Sequence, residues 1–231
     1  MSNHWLDLAV QNNMDWYEAE AQAWNIEAHR TAHAWWSTQP VPAYHSNLVA
    51  AGTLPASTIA AIDAAIIGAW SIKDAHAKYD LQPLGFEVLF DATWIARPPE
   101  PAPLHSSDSP VTRVEDAATL SRWIDAWDET PPGQTVFQPA LLANPNVHFV
   151  YVEGPQGILG GLCLNESPHT VGITNTFGSA QTLDLCIAYA AQSFPGKALV
   201  GYERGDDLEQ MLQRGFVALG ELRVWISNVS R

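Results

Sequence analysis

The chain has 231 residues, enough for one large domain or two small ones, and its 47% hydrophobic content excludes long disorder. Lys and Arg number 11 against 25 Asp and Glu, a net charge of −14. Such a chain repels phosphate backbones and anionic lipid, so nucleic acid is not an expected partner, and no stretch approaches the roughly 20 apolar residues of a membrane helix.

Met1–Asp7 carries neither a basic region nor an apolar core of signal-peptide length, so a cytoplasmic location is the expectation. Cys163 and Cys186 each lie in an apolar run and read as buried free thiols.

Apolar spacing predicts a long first helix from about Trp5 to Ala34, with Val10, Met14, Tyr17, Ala21, Trp24 and Ala28 on one stripe. Seven of the ten Trp precede residue 98. Such a face suits a planar ligand or, more commonly, core packing. His29 and His33 sit four apart, but Arg30 follows His29 where the zinc-protease pattern has Glu, and no third ligand is evident. No metal is expected.

Pro40 and Pro42 break that helix. A strand at Asn47–Ala51 follows, then a helix opened by Thr53-Leu54-Pro55 with Ile59, Ile62, Ile66 and Ile67 on one side. Next come a strand at Trp70–Lys73, a short helix at Asp74–Asp80 and a strand pair, Phe86–Leu89 and Ala92–Ala96. Residues 97–110 hold five prolines and three serines, which neither a helix nor an interior strand admits. This divides the chain into a Trp-rich half, 1–97, a linker, 98–110, and a second domain, 111–231.

The second half opens with a strand at Val111–Val114 and a helix at Glu115–Trp127, stopped by Thr130-Pro131-Pro132-Gly133. A short helix at Phe137–Leu142 precedes three strands in a row, His148–Glu153, Gly157–Asn165 and Thr170–Phe177. Then follow a helix at Thr182–Phe194, a strand at Ala198–Tyr202, a helix at Asp206–Arg214 and a last strand pair ending at Leu222–Ile226. This order predicts an α/β (α+β) fold with one mixed, mostly antiparallel sheet flanked by helices. The halves also echo one another. Gly85-Phe86 precedes Trp94-Ile95, and Gly215-Phe216 precedes Trp225-Ile226 with one residue of slack, the mark of a remnant repeat.

On these residues the second half resembles the GNAT superfamily of N-acetyltransferases over about Val111–Ile226. Gly160-Gly161-Leu162 resembles the family's small-residue third strand, and Thr170–Phe177 its splayed fourth strand. Gly215-Phe216 resembles the Gly-Phe after its last helix. The first half looks like a shortened, degenerate GNAT-like copy. The resemblance implies acetyl-CoA as the acyl donor, a small-molecule amine as acceptor and a pyrophosphate cradle after the fourth strand. Thr176, Phe177, Gly178, Ser179 and Thr182 occupy that place. The loop departs from the family's Arg/Gln-x-x-Gly-x-Gly/Ala, with one Gly and no Arg, and Met211 stands about where many members carry a Tyr acid.

Acyl transfer needs a neutral amine, a polarised carbonyl and a proton for the thiolate. Glu203, at the end of an apolar strand, is the candidate base, with a structural pair to Arg204 as the alternative. Tyr202 is the nearest phenol, and Asn175 a polar side chain on a strand of Thr and Val. Glu166 and His169 read as turn residues. No nucleophile elbow, phosphate loop or dinucleotide fingerprint appears. Two readings stay open: a GNAT-type N-acyltransferase, and a non-catalytic GNAT-like module that binds a ligand or partner.

Overall fold

The computed structural model describes residues 2–54, 56–99, 110–127 and 135–228. Helix α1 (Ser2–Ala23) leads to the short strands β1 (His29–Arg30), β2 (Ala34–Trp36) and β3 (Leu48–Ala50), then helix α2 (Ala56–Ala65), strand β4 (Ser71–Asp74) and the long strand β5 (Phe86–Arg97). After β6 (Val111–Arg113) and α3 (Ala117–Trp127) come β7 (Val147–Gly154), β8 (Gly157–Glu166), β9 (Thr170–Gly178), α4 (Ala180–Ser193), β10 (Ala198–Glu203), α5 (Gly205–Gln213) and β11 (Val217–Ser227). Most of the linker and the Thr130–Gly133 turn fall outside the described residues.

Among the described residues, the strands form one sheet, ordered β1-β2-β3-β4-β11-β5-β10-β9-β8-β7-β6. The two halves drawn at residues 97 and 111 therefore share a single sheet. What the sequence reads as a strand pair at each half's end is one long strand each time. Strand β5 inserts between β10 and β11, and β11 inserts between β4 and β5.

The pairing is palindromic about the β11–β5 seam out to β1 on one side and β7 on the other, with β6 as an extra edge strand. Strands β3 and β4 are parallel, as are β9 and β10, and every other neighbouring pair is antiparallel. Gly85 and Gly215, at φ 83 and 82, make matching left-handed turns into β5 and β11, a conformation glycine adopts without a Cβ clash. Each strand then carries its extra residue four positions on, Leu89 in β5 and Leu219 in β11. The Trp-Ile pairs do not superpose. Trp94 faces the core under α1, whereas Trp225 packs with Ile62, Trp70 and Phe86 on the opposite face.

Helix α1 is shorter than its apolar stripe predicts. Asn25 adopts a left-handed φ of 53, Asn25 N–H bonds Gln22 O and Ile26 N–H bonds Ala21 O, which closes the helix before Trp24 and Ala28 can extend the stripe. His29 therefore lies on β1, stacked on Trp36 at 5.2 Å, and His33 lies in the following turn, so the pair shares no helix face. The short helix expected at Asp74–Asp80 is a turn, because the buried Asp74 carboxylate accepts from the His76 and Tyr79 amides. In α2, Ile62 is buried but Ile67, past its end, is 92% exposed.

Helices α1 and α3 cover one sheet face; α4 and α5 cover the other over the C-terminal half, and α2 over the N-terminal half. The Trp-rich segment is core here: Trp16, Trp35 and Trp94 join Trp123 and Trp127 beneath α1. One polar group is buried among them. Glu20 is fully enclosed, and both its carboxyl oxygens lack a hydrogen-bond partner among the described residues. Burial pushes this carboxyl up to about 8; the Trp24 indole, one turn on, opposes that but lies outside hydrogen-bond geometry. The neighbouring Cys163 thiol is pushed well above its usual range, by burial first and by Glu20 second.

Candidate functional site

The site begins where two parallel strands part. Strand β9 pairs with β10 at Thr170/Ala198, Val171/Leu199 and Gly172/Val200, and the ladder ends there. Just beyond, β9 carries a bulge: Gly161 faces Phe177 and Cys163 faces Thr174, so Asn175 and Thr176 together oppose Leu162. Asn175 takes a left-handed φ of 54, which Asn tolerates better than most side chains. The bulge turns β9 away from β10. Between them opens a cavity of about 320 Å³, lined by Thr174, Asn175, Thr176, Gly201 and Tyr202, with Trp16 of α1 alongside.

Helix α1 is pinned at the edge of this opening. Asn12 Nδ2 donates to Asn165 O at 2.9 Å and Asn165 Nδ2 donates back to Asn12 O at 3.1 Å. A Cβ on Gly172 would sit 2.1 Å from Asn12 Oδ1, so a side chain at residue 172 would push the Asn12 amide out of this exchange. Thus the first helix of the chain closes the open strands of the second half.

A second cavity, of about 450 Å³, lies beside the first and shares Tyr44, Tyr202, Glu203, Arg204 and Asp207 with it. A chamber of about 70 Å³ between Tyr17, His45, Lys73 and Tyr202 adjoins both. Lys73 is only 2% exposed. Its Nζ donates to Asn13 Oδ1 at 3.1 Å and to Tyr202 OH at 3.2 Å, and lies 4.7 Å and 4.4 Å from the ring centres of Tyr17 and Tyr202. Burial acts against its charge, but the two phenol oxygens outweigh burial and hold its pKa above the ordinary lysine value. Among the described residues no carboxylate pairs with it. His45 Nδ1 faces Ala43 O at 3.2 Å, and its enclosed Nε2 has no partner among the described residues. Burial is the main cause that lowers His45 to about 4, and Lys73 adds to it, so the ring is neutral.

Strand alternation separates Tyr202 from Glu203. Tyr202 pairs with Trp94 across β5, their rings edge to face at 5.3 Å, on the face shared with Lys73 and α1. Glu203 pairs with Thr93 and so starts toward the other face, at the rim where β10 ends. Its neighbour Arg204 lays its guanidinium 4.8 Å over the Phe90 ring. Glu166 is held by Lys197 at 2.6 Å, a structural role.

The expected cofactor residues divide. Thr176 lines the opening. Phe177 packs edge to face on Trp123 at 4.9 Å. Gly178, at φ 105, lets β9 approach β8, where a Cβ would lie 2.7 Å from Gly160 Cα. Ser179 caps α4: its side chain accepts from Thr182 N at 3.2 Å and meets Thr182 Oγ1 at 2.9 Å. None of the three cavities is lined by residues 177–182. Nearby Arg214 is engaged with Asp184 Oδ1 at 2.7 Å and with Ala180 O at 3.2 Å.

Sequence reasoning missed the contribution of the first half. Asn13, Tyr17, Tyr44, His45 and Lys73 all lie before the linker and all line these cavities. One signal was available: Lys73 interrupts the apolar run Trp70-Ser71-Ile72, where a buried cation needs a reason.

No protein-family model matches the chain, and no curated protein matches it significantly. Solved structures do. A GCN5-related N-acetyltransferase from Kribbella flavida superposes with a TM-score of 0.66 at 13% identity, covering 96% of this chain and 96% of that one. A functionally unknown conserved protein from Staphylococcus epidermidis gives 0.61 at 10% identity, covering 88% and 94%. A protein assigned to the GNAT family from Novosphingobium aromaticivorans gives 0.59 at 12%, covering 94% and 95%. These whole-chain superpositions show that the chain has the fold of the GCN5-related N-acetyltransferases.

Proposed function

We propose that the protein is an N-acyltransferase that moves an acyl group from an acyl-CoA, acetyl-CoA in the simplest case, to a small amine. The observation that carries this reading is the parting of β9 from β10 after Gly172 and Val200, with the Asn175–Thr176 bulge beside a cavity of about 320 Å³. Strand edges without a partner strand present amides and carbonyls, which suit the amide-bearing arm of coenzyme A. The donor supplies a thioester. The amine nitrogen bonds to the acyl carbon, the C–S bond breaks, the amine gives up a proton and the thiolate takes one.

This chain's residues fit two of those needs. Tyr202 OH accepts from Lys73, so its own proton is free to be donated into the opening, toward a leaving thiolate. Glu203, at the rim shared by both large cavities, takes the amine proton through water. Asn175, at the bulge, lines the opening beside Thr176. The palindromic sheet supports the reading of residues 1–97 as a shortened copy, with the linker at 98–110 joining two halves that complete each other.

A second reading, a ligand-binding module without turnover, is favoured by one observation: Ser179 caps α4 itself, and the neighbouring Arg214 is already paired. Calorimetric titration with acetyl-CoA and coenzyme A, followed by transfer assays over an amine panel, separates the two. Saturable binding with turnover that drops in Tyr202→Phe supports the enzyme. Binding without turnover supports the module, and no binding of either compound removes both acyl-CoA roles.

A further inference from the structure

The chamber between the halves combines three features that are unusual together. Lys73 is a buried ammonium with no carboxylate partner among the described residues, so its charge is balanced only by neutral oxygens and two ring faces. An ammonium has three donors; Asn13 and Tyr202 take two, and the Tyr17 hydroxyl lies close to the third but outside hydrogen-bond geometry, so that donor lacks a full bond. His45, in the same chamber, is neutral; with Nδ1–H donating to Ala43 O, its enclosed Nε2 is an acceptor with nothing to accept from. An unsatisfied buried acceptor and an uncompensated buried cation are each costly unless something completes them.

We infer that this chamber binds the carboxylate end of a small acid that carries an adjacent hydroxyl or amine. The carboxylate accepts the third proton of Lys73, and the adjacent group donates to His45 Nε2. The size fits: at about 70 Å³ the chamber holds a group of a few heavy atoms, and the cavity of about 450 Å³ beside it takes the remainder along Leu89, Phe90 and Val224. The net charge of −14 argues against general attraction of anions, so recognition rests on one buried cation. In the acyl-transfer reading the amine-bearing member of this class is the acceptor, but the binding site does not depend on that reading.

The test is calorimetric titration of the full chain with lactate, glycolate, glycine and β-alanine, with acetate as the acid that lacks the second group and sodium chloride as the control. Saturable binding of at least one hydroxy or amino acid is expected, tighter than acetate. Lys73→Met should weaken it more than about tenfold, the usual range for losing a charged hydrogen bond. His45→Phe should erase the preference over acetate. Lys73→Arg, which keeps the cation, covers the case in which Lys73→Met does not fold, and should retain acid binding. No saturable heat from any acid with the native protein, or equal affinity in Lys73→Met, overturns the inference. Coenzyme A takes no part in this readout, so its failure leaves the acyl-transfer reading standing, and the reverse also holds.

Discussion

The sheet contains two parallel pairs in equivalent places, and they behave differently. In the N-terminal half, β3 and β4 stay together: pairing runs to Ala50/Asp74, then Ala75 N–H bonds Ala50 O at 2.9 Å. Beyond that point His76 Nε2 meets Ala51 O at 3.2 Å and the Tyr79 hydroxyl bonds Gly52 O, so side chains tie the two strand ends across the hollow there. In the C-terminal half, β9 and β10 separate after three pairs, with a bulge in β9 and α1 alongside. Both ladders hold three registered pairs and both end at a cavity, about 300 Å³ beyond β3 and β4 and about 320 Å³ beyond β9 and β10; side chains bridge the first, the closed pair, and leave the second, the open pair, unbridged. The difference lies in a few residues: a carboxylate, a His and a Tyr close the first, and a left-handed Asn opens the second.

Helix α1 packs over the open pair and its neighbours, and Glu20 is the most costly group it buries. Its folded-state value of about 8 lies above the ordinary 4.5, so the native state holds the proton more tightly. The stability this contributes is complete below pH 4.5 and is lost as pH rises to about 8. At about 1.4 kcal/mol per unit the loss is on the order of 5 kcal/mol. Chemical denaturation between pH 5 and 9 should show the native protein falling steeply and Glu20→Gln nearly flat. Equal pH slopes would mean that the carboxyl is paired.

On the proposed acyl-transfer reading, Tyr202→Phe removes the proton donated to the leaving thiolate. We expect a fall in kcat on the order of a hundredfold with little change in affinity for acyl-CoA. A change in affinity alone would place Tyr202 in binding, not in proton transfer.

Unfastening the closed pair is a smaller effect. Tyr79→Phe and His76→Ala should each cost about 1 kcal/mol in denaturant unfolding, the net worth of one hydrogen bond, and leave acyl-CoA affinity unchanged. Altered acyl-CoA affinity would mean that the first half holds part of the donor site. Smallest of all, Asn175→Gly relaxes the left-handed residue of the bulge and should shift stability by only a few tenths of a kcal/mol, with the opening preserved. A large loss would show that the Asn175 side chain builds the site.

Much of the second half was legible in the sequence because its elements are long and evenly patterned. Strands β7, β8, β9 and β10 and helices α4 and α5 fall within a few residues of their expected bounds. Placement of the long strands was not legible. Nothing local in Phe86–Arg97 says that it will insert between β10 and β11, since register between segments so far apart in sequence is fixed by tertiary packing. The extent of α1 was misread because apolar spacing continues past Asn25, and only the backbone turn there ends the helix. Tyr202, Glu203, Asn175 and Thr176 were found at the open pair, since strand ends are readable. Lys73 was missed because its partners are remote in sequence, Asn13 and Tyr202 at separations of 60 and 129 residues, and His45 because the rings that enclose it, Trp16 and Tyr17, come from the first helix.

On the proposed function the open pair takes the acyl donor and the closed pair does not. Hydrogen–deuterium exchange with and without acetyl-CoA tests it directly. The account predicts slower exchange at residues 173–178 and 201–203 on adding acetyl-CoA, with residues 50–52 and 75–79 unchanged. Protection at the closed pair, or none at the open pair under saturating acetyl-CoA, would contradict it.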